Sequence, residues 1–179
     1  MRRTNLDIYE TDPMSRQDII DYATQIRRNL KLSRRVRFPV CEVFEIFPQI
    51  FPECTTIICD DTEFDELTHG STDIVNKTIK IKQSVYDRAV NGNGRDRATV
   101  LHEMCHYLLL VVNSMSLTRK FSNSKIPAYK DPEWQAKALA GELLMPRKLI
   151  SKYSVEKIAS KCGVSLESAQ LHYKLIHNS

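Results

Sequence analysis

The sequence predicts an α+β fold: a small twisted β-sheet packed on one largely buried helix, with N-terminal helices before it and a helical C-terminal subdomain after it. Three observations carry this. Apolar residues recur at helical spacing over about 16–32, 95–112 and 133–145. β-Branched residues concentrate at 55–59 and 74–82, between the first and second of those segments. The chain has 179 residues, 42% of them hydrophobic and 27% charged, with five Gly and seven Pro, which describes an ordinary globule able to bury a single core. That composition excludes collagenous, disulfide-scaffold and generally disordered chains. No apolar run approaches the ~20 residues that span a bilayer. The start MRRTNLDIYETDP has no apolar stretch after its basic residues, so no signal peptide is read and a cytoplasmic protein without a membrane partner is expected. Cys41, Cys54, Cys59, Cys105 and Cys162 are odd in number with no CxxC, and are expected to be reduced thiols acting as small hydrophobes.

Residues 1–14 show no periodicity and are expected to form a flexible arm, leaving 15–179 as one domain: helices, sheet and a buried helix over 15–112, and a helical subdomain over 131–179. Ser15 with Asp18 makes a capping signal, and Ile19, Tyr22, Ala23, Ile26 and Leu30 follow at helical spacing. The other face of that helix is basic and is read as solvated. Pro39, then Val40, Val43, Phe44 and Phe47 before Pro48, predict a short second helix. Thr55–Cys59 and Ile74–Lys82 read as strands, with the acid-rich run Asp60–Glu66 between them. Ser84–Val90 predicts a further short helix, and Asn91-Gly92-Asn93-Gly94 a loop. From Arg95 to about Val112, the residues Ala98, Leu101, Cys105, Leu108, Leu109 and Val112 form an apolar stripe that a buried helix would present to a core. Residues 113–130 are polar and read as a long loop. Asp131-Pro132 starts a helix that runs to Met145, where Pro146 interrupts, and the remainder reads as short helices punctuated by Ser154, Gly163 and Ser165.

The chemistry lies in His102-Glu103-Met104-Cys105-His106, an HExxH inside the buried helix. Spacing of i and i+4 puts both imidazoles on one face, able to bind one metal ion, while Glu103 lies about a hundred degrees round and can address a water on that metal. Zn²⁺ brings the pKa of bound water from ~15.7 towards ~7, and a neighbouring carboxylate takes and returns the proton. Two imidazoles and a carboxylate in an apolar helix would be costly without partners. Catalytic zinc wants a third protein ligand. Tyr107–Gln170 contains no His, so a carboxylate is expected from Asp131, Glu133, Glu142, Glu156 or Glu167. Glu133 is best placed, in the first turn of a helix whose small residues Ala136 and Ala140 permit close approach, with Asp131 its main competitor. Glu142 lies about 180° round from Glu133 and is read as a solvated charge. Cys105 is a further candidate ligand, although it faces the apolar stripe.

These residues resemble the ImmA/IrrE-type family of HExxH zinc metallopeptidases, gluzincin-like enzymes of bacteria and their mobile elements. Arg97-Ala98-Thr99 through His102, Glu103 and His106 to Leu108-Leu109 is similar to the family's R-x-T-x-x-HE-x-x-H-x-L-L, and Glu133 through Ala136, Ala140 and Leu143-Leu144-Met145-Pro146 to its E-x-x-A-x-x-F-A-x-x-L-L-M-P. Ile158-Ala159 to Gly163-Val164-Ser165 and Ala169 is similar to its closing pattern. The resemblance spans about residues 36–176. It implies Glu133 as third ligand, 27 residues after His106, one Zn²⁺, and a peptidase of narrow specificity that cleaves or controls a protein substrate, a transcriptional repressor. The chain departs from the family at Cys105, where Gly is usual, at Leu110, where His is frequent, and at His172-Tyr173-Lys174, where an Arg-Leu pair is common.

Two other functions compete. Ser154–Lys174 has the outline of a helix-turn-helix, but its second helix offers only Gln170, His172 and Lys174 as contacts and no Arg follows Arg147, so direct nucleic-acid binding is not expected. A metal-bound protein that binds a regulator without cutting it is the other. His69, Tyr129, Tyr153 and His172 are loose candidates for stabilising an oxyanion. Charge is unevenly spread: Met1–Val40 carries nine Lys and Arg against five acids, Cys41–Asn76 nine acids and no Lys or Arg, and Lys77–Ser179 seventeen basics against eight acids. The acidic block is expected on the sheet side of the cleft, where it would favour a basic substrate segment.

Overall fold

The computed structural model describes residues 8–120 and 125–177. The architecture is α+β, with eight α-helices and two small sheets among the described residues. Helix α1 (Arg16–Asn29) opens on a complete capping box, with Ser15 Oγ accepting from Asp18 N and Asp18 accepting from Ser15 N. Helix α2 (Val40–Ile50) runs through Pro48 rather than stopping before it. Pro48 sits in the last turn, where its missing N–H removes a single bond to the helix. The buried face of α2, Val40, Val43, Phe44 and Phe47, is thereby kept whole.

Strands β2 (Thr55–Cys59), β3 (Gly70–Asp73) and β4 (Thr78–Lys82) form a sheet in the order β2-β4-β3, parallel between β2 and β4 and antiparallel between β3 and β4. The strand expected from Ile74 starts only at Thr78. Asp73 accepts from Val75 N and Asn76 N and turns the chain back, with Lys77 at a positive φ of 50°, so the segment makes a hairpin whose first strand precedes Ile74. Ile79 and Ile81 of β4 are fully buried against helices α3 (Gln83–Val90) and α4 (Gly94–Tyr107).

Helix α4 starts where Asn93 Oδ1 accepts from Arg95 N and Asp96 N. Its continuation to Val112 is not α-helical: Leu108–Val112 is one π-turn, with Asn113 N donating to Leu108 O at 2.9 Å. Leu101, Met104, Cys105, Leu108 and Leu109 are buried, whereas Val112, expected in the stripe, is 44% exposed at the far end of that turn. Tyr107 meets Phe47 edge-on, with centroids 5.5 Å apart.

Two segments read as structureless pair with each other. Ile8–Thr11 of the expected arm is strand β1, antiparallel to β5 (Leu117–Lys120) of the expected long loop. Each strand alone is four residues with no alternation to read, and the pairing spans more than a hundred residues. The ribbon is tied down by Asp12, which accepts from Ser116 N and Oγ, and by Gln135 Nε2, which donates to Asp12 O and Tyr129 O. Residues 1–7 of the expected arm lie outside the described residues.

Helix α5 (Pro132–Leu144) follows the Asp131 cap, and α6 (Arg147–Ile150), α7 (Val155–Cys162) and α8 (Leu166–His177) complete the chain. Two charges read as solvated are buried instead. Glu142 is 3% exposed and takes three hydrogen bonds of 2.7–3.0 Å from the Arg147 guanidinium, with His172 Nε2 at 3.8 Å. Arg27, on the supposedly solvated face of α1, is buried and donates to Leu143 O, Leu32 O and Arg35 O. Arg97 does similar work for the C-terminal helices: buried, it donates to Phe38 O, Cys162 O and Gly163 O. Gly163 caps α7 with a left-handed φ of 64°, and a Cβ there would collide with the Arg97 and Arg37 guanidiniums. The α7–α8 turn is thus locked to the core, and the outward face of α8 presents Leu166, Leu171 and Leu175 rather than a basic stripe.

Candidate metal centre

Helix α4 supplies two of the three groups. One turn apart, His102 and His106 stand with ring centroids 4.6 Å apart and their Nε2 atoms 3.1 Å apart. The third comes from α5, which packs along α4; the fully buried Ala136 and the buried Ala140 keep the two helices close. Glu133, in the first turn of α5, places Oε2 3.1 Å from His102 Nε2 and Oε1 3.0 Å from His106 Nε2. All three donor atoms lie within 4.8 Å of one another. Hydrogen bonds from His102, then His106, hold the Glu133 carboxyl well below the usual carboxylate range.

Two imidazole nitrogens and a carboxylate converging on one point fit a single divalent ion of borderline softness and leave room for a further ligand. The competing ligands are placed elsewhere. Asp131 is spent on the α5 cap, accepting from Glu133 N at 2.9 Å. Glu142 is locked to Arg147, and Glu156 and Glu167 lie on α7 and α8. Cys105 is wholly buried in the apolar stripe, outside the group of converging donor atoms, and burial raises its thiol pKa well above the ordinary value.

Glu103 turns from the imidazoles towards the sheet. Thr72 Oγ1 of β3 lies 2.8 Å from Glu103 Oε2 and 2.9 Å from Glu103 O, so one hydroxyl proton is shared between the carboxylate and its own carbonyl. Two residues earlier on the same face of β3, a Cβ on Gly70 would fall 3.0 Å from Glu103 Cγ and 2.8 Å from Ile81 Cδ1, so only Gly lets the strand approach this closely. Neither residue is visible to a motif search. What could have flagged them is the GSTD segment itself, small and polar where a strand must press against a carboxylate.

The oxyanion candidates separate. His172 is buried, with Nε2 against Met145 O at 2.9 Å, and Tyr153 stacks under Lys157 with Nζ 4.3 Å from the ring. His69 precedes Gly70 and is exposed; Tyr129 is 49% exposed in a short 3₁₀ turn four residues before Glu133. Within the acidic block, Asp60, Asp61 and Asp65 accept backbone N–H groups of Thr62, Ser84, and Leu67 and Thr68, and these bonds lower their pKa values.

No helix among the described residues is long and apolar enough to cross a membrane. Curated proteins contain no match to the chain. The family model of the M78 peptidases, described as the IrrE N-terminal-like domain, matches residues 66–173, a span that holds β3, the HExxH helix, Glu133 and the C-terminal helices. The chain belongs to the IrrE N-terminal-like family of M78 peptidases.

Proposed function

We propose that the protein is a zinc-dependent endopeptidase of narrow specificity whose substrate is a transcriptional repressor in a bacterial or mobile-element circuit. The observation that carries the reading is the convergence of His102, His106 and Glu133 on one point, with Glu103, the residue after His102, hydrogen-bonded by Thr72. His102, His106 and Glu133 would hold the ion. When bound, Zn²⁺ supplies a hydroxide at neutral pH and polarises the scissile carbonyl. Glu103 takes the proton of the attacking water and delivers it to the leaving amine. The hydroxyl of Thr72 fixes the rotamer from which Glu103 does so.

Substrate presentation follows from the sheet. Among the described residues β3 pairs only with β4, so its outer edge offers unpaired backbone groups on the same strand whose Thr72 touches Glu103. An extended peptide adding to that edge would run along the strand that touches Glu103. The repressor as substrate rests on the family resemblance, and the charge distribution suits a basic segment.

The test mixes the zinc-loaded protein with the repressor encoded beside it, with and without chelator, and reads fragments. Cleavage that chelator stops and Glu103→Gln abolishes supports the assignment. Cleavage retained by Glu103→Gln would overturn it. Stable complex formation without fragments would favour regulator binding instead.

A further inference from the structure

We infer that the face of α4 opposite the metal ligands closes one wall of a binding site for an uncharged amphiphile, a chain of about eight carbons ending in an amide, lactone or hydroxyl group. A cavity of about 290 Å³ lies between α1, α2, α4 and α5. Its walls are Ile26, Val43, Phe47, Leu101 and Met104, and its floor reaches Leu143. Met104 stands about 180° and Leu101 about 120° round α4 from the midpoint of His102 and His106, so this site and the metal centre share a helix but no side chain. At the ratio set by a 150 Å³ apolar cavity that holds benzene, the volume admits about a dozen non-hydrogen atoms.

The rim sets the class of ligand. Gln25 and Asn29 of α1 and Asn113 at the end of the π-turn line the mouth, exposed to water, and among the described residues their side-chain amides are not engaged with other protein groups. Among the described residues no Lys, Arg, Asp or Glu lines the cavity, so a charged head group would be desolvated there without a counter-ion. An amide, lactone or hydroxyl would instead be matched by donors and acceptors already in place. Ile50 and Val112 flank the mouth, 37% and 44% exposed, and an occupant would cover them.

The backbone at the mouth is also unusual. The π-turn at Leu108–Val112 swings Asn113 to the rim, and Tyr22, itself a lining residue, donates its hydroxyl to Leu108 O at 3.0 Å. π-Turns interrupt helices at a cost and recur at functional sites. Here the interruption begins two residues after His106. It ends the metal helix at the cavity, and turns the one amide of the rim that α1 cannot supply.

The test titrates octanamide, octanoate and acetamide into the full-length chain, following binding by calorimetry and ligand-observed NMR. Expected are one saturable site for octanamide with a Kd below about 1 mM, binding at least tenfold weaker for octanoate, and none for acetamide. Val43→Phe fills the cavity and Ile50→Trp covers its mouth from an exposed position that folding tolerates; each should weaken octanamide at least tenfold. Asn29→Ala should narrow the difference between octanamide and octanoate. Absence of saturable octanamide binding, equal affinity for octanoate, or full affinity in Ile50→Trp would each overturn the site.

Discussion

Thr72 and Glu103 show how much of the chemistry depends on single contacts. The proposed proton transfer by Glu103 requires one rotamer to be held, and the 2.8 Å contact from Thr72 holds it from a different element. Thr72→Val keeps the shape and removes the hydroxyl. It should lower kcat by about 10–100-fold with KM nearly unchanged and zinc stoichiometry intact, and Thr72→Ser should restore most of the loss. Steady-state kinetics beside metal analysis reads both; an unchanged kcat in Thr72→Val would remove the positioning role. Glu133, the proposed third ligand, should behave differently. Glu133→Ala is expected to lose metal affinity rather than the proton-transfer step, and therefore to lose zinc on dialysis where Glu103→Gln retains it. The pairing of His102 with His106 was legible because a shared ion fixes their spacing on one helix, whereas Glu133 was singled out among several carboxylates by the resemblance to a known family, and the structure groups it with them. Thr72 and Gly70 were not, because their role arises only when a strand thirty residues away is laid against α4.

At the scale of elements, legibility followed the range of the interactions. Capped helices such as α1, with Ser15 and Asp18, and α5, with Asp131 and Pro132, are decided within a few residues and were read correctly. Strands β1 and β5 exist only because each finds the other across the chain, and no local pattern announces that. Buried charges were misread for the same reason: Glu142 looks like a surface acid until Arg147 and His172 close over it. That cluster carries a pH signature. Burial lowers the pKa of His172, so the folded state refuses a proton that the unfolded chain binds below about 6.5. The unfolded state then binds more protons, and stability falls as pH drops through that window. Denaturant unfolding of the native protein between pH 7.5 and 5 should show this loss, and His172→Asn should flatten part of the slope. The α7–α8 turn gives a pH-independent counterpart. Gly163→Ala forces a side chain into left-handed backbone and against Arg97, and should cost about 1–2 kcal/mol or more, read as a lower denaturation midpoint.

Across the whole molecule, charge is arranged in an order that the fold turns into a surface. The acidic block falls in the connection from β2 to β3, so it precedes by a few residues the strand whose far end holds Glu103. Three of its acids are committed to the turns that build this connection, since Asp60, Asp61 and Asp65 each accept backbone N–H groups. Neutralising those would disturb the loop as well as the charge. Glu66 makes no hydrogen bond or ion pair among the described residues, and it stands exposed four residues before Gly70. It is therefore the residue at which charge can be changed with least effect on structure. If the cleft attracts a basic substrate segment, Glu66→Lys should raise KM several-fold at low salt with kcat unchanged. The difference should vanish near 1 M salt, where the screening length falls to about 3 Å. Cleavage of the proposed repressor substrate followed across a salt series, in the native protein and in Glu66→Lys, separates this from a packing effect, because a packing defect would persist at high salt. An identical KM in both proteins at low salt would return the acidic block to the role its hydrogen bonds already give it, that of building the turns that lead the chain into β3.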